Sequence, residues 1–210
     1  MIEAAQTTIS AQPLPQKEGP LSRFRRLITY GGVTYEISRT VVFLVLAVLF
    51  FNTFLGTLFV VSGPSMNPNF ADGQFTLTLK APYFMHRPER GDVVAIGFPG
   101  NPSIRYIKRI VGLPGEQVQV RRGDVWVYND DYPNGLKLYE EYEPFQSEPE
   151  VSWTVGDDEY FVAGDNRPNS SDSRFFGPVP REFIIGRVWW VFFPFDAFKL
   201  IPIPVYNLAR

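Results

Sequence analysis

Few residues in this chain can do chemistry, and they lie far apart in sequence. Ser65 sits in VVSGPSMNPNF (60–70), a hydroxyl held between Pro64 and Pro68 and preceded by Gly63. Such a turn is structural unless a base takes the serine's proton, which would make it a nucleophile toward a carbonyl. The chain has one histidine and no cysteine, which excludes a cysteine nucleophile, thiolate metal sites, disulfides and any site needing two imidazoles. That histidine, His86, lies in the polar segment PYFMHRPER and reads as a surface residue. The other candidate base is Lys108 in SIRYIKRIVGLPGE. Strict alternation puts Ile104, Tyr106 and Lys108 on one strand face and Arg109 on the other, toward solvent. Lys108 is either a solvated strand lysine, the commoner arrangement, or an inward one. Burial would lower its pKa by about 3 to 5 units and let it accept a proton near neutral pH. A third stretch, GDNRPNSSDSRFFGPV (164–179), has the short polar side chains that satisfy backbone groups in tight loops, and it carries Asp165, Ser170, Asp172 and Arg174. No carboxylate cluster has metal-ligand spacing, so neither metal nor cofactor is expected.

The elements that must position these groups fall into two parts. Val41–Val61 is free of charge and would span roughly 30 Å as a helix, the thickness of a bilayer's hydrocarbon core. Only Asn52, Thr53 and Thr57 interrupt it, so it lacks the polar face of an ordinary core helix, and it is longer than the apolar part of a cleavable signal sequence. Lys17, Arg23, Arg25, Arg26 and Arg39 precede the run, and no Lys or Arg follows before Lys80. The positive-inside rule then predicts a single-pass cell-membrane protein with residues 1–40 cytoplasmic, 41–61 a transmembrane helix and 62–210 extracytoplasmic. Residues 1–20 read as a disordered tail. The exported part breaks into strand-like runs at 74–80, 91–98, 103–113, 116–130, 159–164 and 184–193, so the domain is predicted to be mainly β. QVQVRRGDVWVY is the clearest hairpin, residues 188–193 read as a buried final strand, and the acidic stretch 132–155 has no assignable pattern. With 20 basic residues scattered among 22 acidic ones, the chain lacks the electrostatic footprint of a nucleic-acid binder.

Together these segments resemble the type I signal peptidases, which use a Ser-Lys dyad. The matching motifs are GPSMNP around Ser65, RGDVVAI (90–96), YIKRIVGLPGE (106–116) and GDNRPNSSDSR (164–174), in family order behind an N-terminal anchor and covering roughly residues 35–193. The resemblance implies a coiled, mostly antiparallel β domain seated on the membrane. It implies Ser65 as nucleophile, Lys108 as general base, Ser170 bonded to the lysine amine, and Asp165, Asp172 and Arg174 holding the loop. By the same resemblance Met66, Phe70, Tyr106 and Ile107 line the pocket for the substrate's −1 residue, although simple core packing would explain all four equally well. The implied partners are the signal peptides of exported preproteins, with small residues at −1 and −3, and the lipid bilayer.

Three departures accompany the likeness. Asn69 stands where the family usually has threonine. Gly63 stands where some relatives carry an oxyanion-binding serine, which leaves the Ser65 backbone N–H as the evident donor. Pro168 replaces an acidic residue often found in the loop. Only about 55 residues separate Lys108 from Gly164, as in a compact member of the family. Self-cleaving SOS repressors share the dyad but carry a helix-turn-helix and no membrane span. The inner-membrane peptidases of organelles have similar motifs. A non-catalytic reading is a membrane-tethered β module in which Ser65 is only a turn.

Overall fold

The computed structural model describes residues 20–140, 150–204 and 206. The expected disordered tail, up to residue 19, and residues 141–149 of the acidic stretch lie outside the described residues. The chain divides into two units, Met1–Val48 and Leu49–Arg210.

Helix α1 runs from Pro20 to Phe50. The segment Gly32–Leu55 is long and apolar enough to cross a membrane, and its most apolar stretch has no buried residue. The expected span, 41–61, differs from this at both ends. The helix starts earlier, passes through a π-helical turn at Phe51–Leu55 and gives way at Gly56 to strand β1, Gly56–Val60. Val, Leu and Phe read alike in a lipid-facing helix and in a strand, so composition alone hides the switch. Lys80 tethers the end of the π turn by donating from Nζ to the carbonyls of Asn52 and Thr53, 3.1 Å each, as lysines do at helix C-termini.

The second unit is built on two antiparallel sheets. In chain order the further strands are β2 Phe75–Leu79, β3 Val93–Phe98, β4 Asn101–Gly112, β5 Gln117–Arg121, β6 Asp124–Tyr128, β7 Leu136–Lys137, β8 Val151–Thr154, β9 Glu159–Ala163, β10 Val179–Pro180, β11 Ile184–Phe193 and β12 Lys199–Leu200. The larger sheet has the order β1-β2-β11-β3-β4-β9-β10 with β12 added to β11, and the smaller runs β7-β6-β5-β8. The mainly β fold expected from the strand-like runs, antiparallel as the resemblance implies, is therefore the fold observed. The β5–β6 hairpin turns on Arg122 (φ 53°) and Gly123 (φ 83°), the left-handed pair whose twist matches that of the flanking strands. β7 and β8 lie within the stretch 132–155 that had no assignable pattern.

Apolar clusters cover both faces of the central strands. Val93 packs with Val61, Met66, Phe70, Val188 and Val191, whereas its neighbour Val94 packs with Ile96, Ile110 and Val162 on the other side. This overturns one expectation: Arg109 does not face solvent but is 4% exposed, because the face opposite Lys108 is covered as well. The C-terminal aromatic run differs too. It is the end of β11, as expected, but β12 follows and pairs with it, and Trp189, Trp190 and Phe193 are exposed.

Candidate active site

The segment after β1 is a compact turn. Val61 donates to the Gln74 carbonyl (2.8 Å) and accepts from Gly73 N–H (2.9 Å), while Asn67 N–H reaches back to Pro64 O (3.0 Å) and Phe70 N–H to Met66 O (2.9 Å). Gly63 takes φ 85° and its N–H donates to Asp72 Oδ1 at 2.7 Å. No atom lies within 4 Å of where a Cβ would stand on it, so glycine is required here for backbone conformation and not for close approach. The Ser65 N–H makes no hydrogen bond among the described residues.

Lys108 reaches this turn from β4. Its Nζ lies 2.9 Å from Ser65 Oγ, bringing together residues 43 apart in sequence. The lysine is 2% exposed, with the Tyr106 ring 5.1 Å from its amine. Burial lowers its pKa from 10.5 to about 8; Asp172 and Asp165 pull it back up and Arg174 pushes it further down. Of the two arrangements open to this lysine in sequence, the inward one is adopted.

The 164–174 loop closes over the pair. Arg109 forms a bidentate pair with Asp165 (2.8 and 2.7 Å), and Asn69 Nδ2 donates to the same carboxylate at 2.9 Å. The amide of Asn69 thus bonds the loop carboxylate from the position where the family usually has threonine. Asp172 caps the short helix Ser173–Phe176, accepts Gly164 N–H (2.9 Å) and pairs with Arg174 through both oxygens (2.7 and 2.8 Å). Asn166 was missed as a site residue. Its N–H donates to Ser65 O and its Nδ2 to Pro64 O, both at 3.0 Å, so it fixes the backbone on either side of the Ser65 Cα. The only signal for it in the sequence was its place in a loop of short polar residues. Gly164 leaves no room: a Cβ there would stand 2.3 Å from Ser170 Oγ and 2.5 Å from Ser65 O.

Two expected contacts are not made. Ser170 Oγ is buried beside Gly164 without any hydrogen-bond partner, so it does not bond the Lys108 amine. Phe70 does not line the cleft. It is 1% exposed in the apolar cluster with Met66 and Val93, and Lys199, which donates to the Asn69 carbonyl, sits 5.5 Å from its ring. Met66, Tyr106 and Ile107 do line a cleft of about 90 Å³ beside Ser65, together with Phe59–Ser62 and Arg105. His86 is exposed. Among the described residues, no group of three or more His, Cys, Asp or Glu is placed to hold a metal.

Residues 34–193 match the family described as "Signal peptidase, peptidase S26". A signal peptidase I of Leptolyngbya laminosa is 36% identical over 80% of this chain and 84% of its own length. Signal peptidase I T of Bacillus subtilis (strain 168) is 36% identical over 78% of this chain and 88% of its own. A crystal structure of a signal peptidase I from Enterococcus faecalis V583 superposes with a TM-score of 0.41 at 32% identity, covering 49% of this chain and 97% of that one. A match across the strands and loops that carry the site, with relatives at this identity covered over most of their length, means that the chain belongs to the signal peptidase family, peptidase S26, and is a serine endopeptidase.

Proposed function

We propose that this chain removes N-terminal signal peptides from exported preproteins, with Ser65 as nucleophile and Lys108 as general base. The observation that carries the reading is the buried amine 2.9 Å from the Ser65 hydroxyl, with a pKa of about 8 that leaves a usable neutral fraction near neutral pH. Neutral Lys108 takes the Ser65 proton as Oγ attacks the carbonyl that ends the signal peptide. The unbonded Ser65 N–H meets the oxyanion, the lysine ammonium protonates the departing amine, and water deprotonated by the same lysine releases the acyl group. While charged, the amine needs acceptors, and Ser170 Oγ, buried without a partner against Gly164, is the reserve acceptor.

The substrate lies extended between two free strand edges. Among the described residues β1 pairs only with β2, and β4 pairs with β9 only from Arg109 onward, so Gly56–Val60 and the first part of β4 each keep one row of backbone groups unpaired there. Membrane anchoring is supported by the segment Gly32–Leu55 and by exposed aromatics on β2, β11 and the turn after it: Phe75 packs edge-on against Phe193, which packs against Phe195. With the basic flank inside, residues 1–40 are cytoplasmic, the chain crosses the cell membrane once, and the catalytic domain is extracytoplasmic. Confinement in the bilayer that holds the substrate's own apolar segment raises the encounter rate without new contacts.

Purified wild type, Ser65→Ala and Lys108→Ala assayed on a preprotein test the reading. Both variants should fold and insert yet lose cleavage to a similar extent, since nucleophile and base act as a unit. Substantial turnover by either one reassigns the dyad.

A further inference from the structure

The basic side chains near the site differ in what they hold. Arg109, Arg167 and Arg174 are buried and each pairs with a carboxylate, Asp165, Glu140 and Asp172 respectively. Lys108 meets Ser65. Lys199 of β12 does neither. It is half-buried, it forms no ion pair among the described residues, and its amine donates to a backbone carbonyl, that of Asn69 in the serine turn. The same amine stands 5.5 Å from the centroid of the Phe70 ring, so both contacts fall on consecutive residues of one turn. A lysine held in this way gives up rotamer freedom and hydration that a surface lysine keeps.

The contact fixes more than the turn itself. Asn69 Nδ2 donates to Asp165 Oδ2 at 2.9 Å, and Asp165 is gripped through both oxygens by Arg109, the residue after Lys108 in β4. Lys199, Asn69, Asp165 and Arg109 therefore form one continuous path from β12, through the turn that carries the nucleophile, to the strand that carries the base. The segment after β12 reaches the path at a second point. The Gly91 carbonyl accepts from Arg109 Nη1 at 3.0 Å, and a Cβ added to Gly91 would stand 2.8 Å from Pro204 Cδ. Lys199 is absent from the cleft beside Ser65, so its place in the path does not involve substrate. Resting on the proposed signal-peptide cleavage, we propose that Lys199 is a positioning residue: by pinning the Asn69 carbonyl from β12 it holds the Ser65 turn in register with Lys108.

The charge of Lys199 gives this role its own signature. Lys108 faces Ser65 on the turn, Tyr106 on its own strand, and the charges of Asp165, Asp172 and Arg174 on the loop. Asp165 draws protons toward Lys199 as well as toward Lys108, so the two amines share one carboxylate. Removing the Lys199 charge leaves Asp165 to act more fully on Lys108, which then holds its proton to higher pH.

The test assays full-length wild type, Lys199→Met, Lys199→Gln and Lys199→Arg on a preprotein in lipid vesicles across pH, with Tm measured alongside. Lys199→Met should lower kcat by about tenfold at an unchanged KM, because a turn out of register by even a fraction of an ångström loses reactivity and not binding. Its acidic limb should also move to higher pH. Lys199→Gln should move the limb likewise, with a smaller loss of kcat since its amide can still donate, and it carries the test if the Met variant does not fold. Lys199→Arg, which keeps donor and charge, should restore both kcat and limb. A Lys199→Met or Lys199→Gln variant with wild-type kcat and limb, even with a lowered Tm, overturns the assignment. So does a Lys199→Arg variant as impaired as Lys199→Met, which would mean simple packing. Each of those results leaves Ser65→Ala inactive, whereas a Ser65→Ala variant as fast as wild type sinks the cleavage reading itself, and the Lys199 assignment with it.

Discussion

The base assignment makes pH the sharpest probe of this protein. With the Lys108 pKa at about 8, the neutral fraction is about nine-tenths at pH 9, one-tenth at pH 7 and one-hundredth at pH 6. The kcat/KM for preprotein cleavage should then fall about tenfold from pH 9 to pH 7 and about tenfold again to pH 6, and His86→Ala should leave this limb in place. The same shift has a thermodynamic signature. The folded pKa lies below the value of 10.5 for an unperturbed lysine, so between about pH 8 and 10.5 the unfolded chain binds more protons. Stability contributed through this group therefore rises with pH across that window. Below pH 8 the buried amine costs on the order of 3 kcal/mol, and the cost is gone by pH 10.5. Lys108→Met, which removes the charge but keeps the bulk, should be inactive yet melt higher than wild type at pH 7, with the advantage fading toward pH 10.5. Lys199 is also shifted down by burial, so the difference between variant and wild type is the quantity to measure. An acidic limb centred near 6.5 that disappears in His86→Ala, or a Lys108→Met advantage that does not change with pH, would refute the assignment.

Gly164→Ala should cost at least tenfold in kcat while far-ultraviolet circular dichroism stays native, because its Cβ would fall 2.5 Å from the Ser65 carbonyl and 2.3 Å from Ser170 Oγ; wild-type turnover would mean that the loop yields freely. Ser170→Ala should barely change Tm, since the hydroxyl has no partner to lose, but should lower kcat by about 10- to 100-fold, the worth of a hydrogen bond to a charged amine. An unchanged kcat would remove Ser170 from the mechanism. Metal chelators should leave cleavage intact in a chain with no cysteine and one histidine, and zinc-reversible loss of activity would contradict that.

What the sequence reveals and what it hides divide along the range of the interactions. The hairpin of β5 and β6 was legible because its alternation is local, β2, β3 and β9 were legible from strand composition, and alternation placed Tyr106 and Lys108 on one face without saying that the face points inward. β1 was not legible, since its apolar residues continue the composition of the helix before it. Arg109 was misplaced for a related reason: alternation separates two faces but does not say that both are covered. Its partner Asp165 lies 56 residues further on, a pairing that no local pattern carries. Phe70 and Met66 have the same apolar character, and only the fold decides which borders the cleft and which packs beneath Lys199.

The buried charges around Lys108 also explain why the loop needs so many of them. A lone buried ammonium beside Ser65 would lose its proton easily but would be a weak base, whereas unscreened carboxylates would hold it protonated at neutral pH. Asp165 and Asp172 raise the amine's pKa, yet each is spent on an arginine, and Arg174 pushes in the opposite direction. The pairs thus act as a balanced set in which the desolvation of Lys108 remains the largest effect. Such pairs are expensive to bury, and replacing them with apolar residues of equal size would often stabilise a protein. Their retention here has a positional reason. Asp165 ties Arg109 of β4 to Asn69 of the serine turn, and Asp172 ties Gly164 to Arg174. The 2.9 Å separation of Lys108 and Ser65 is therefore set by groups on three segments distant in sequence.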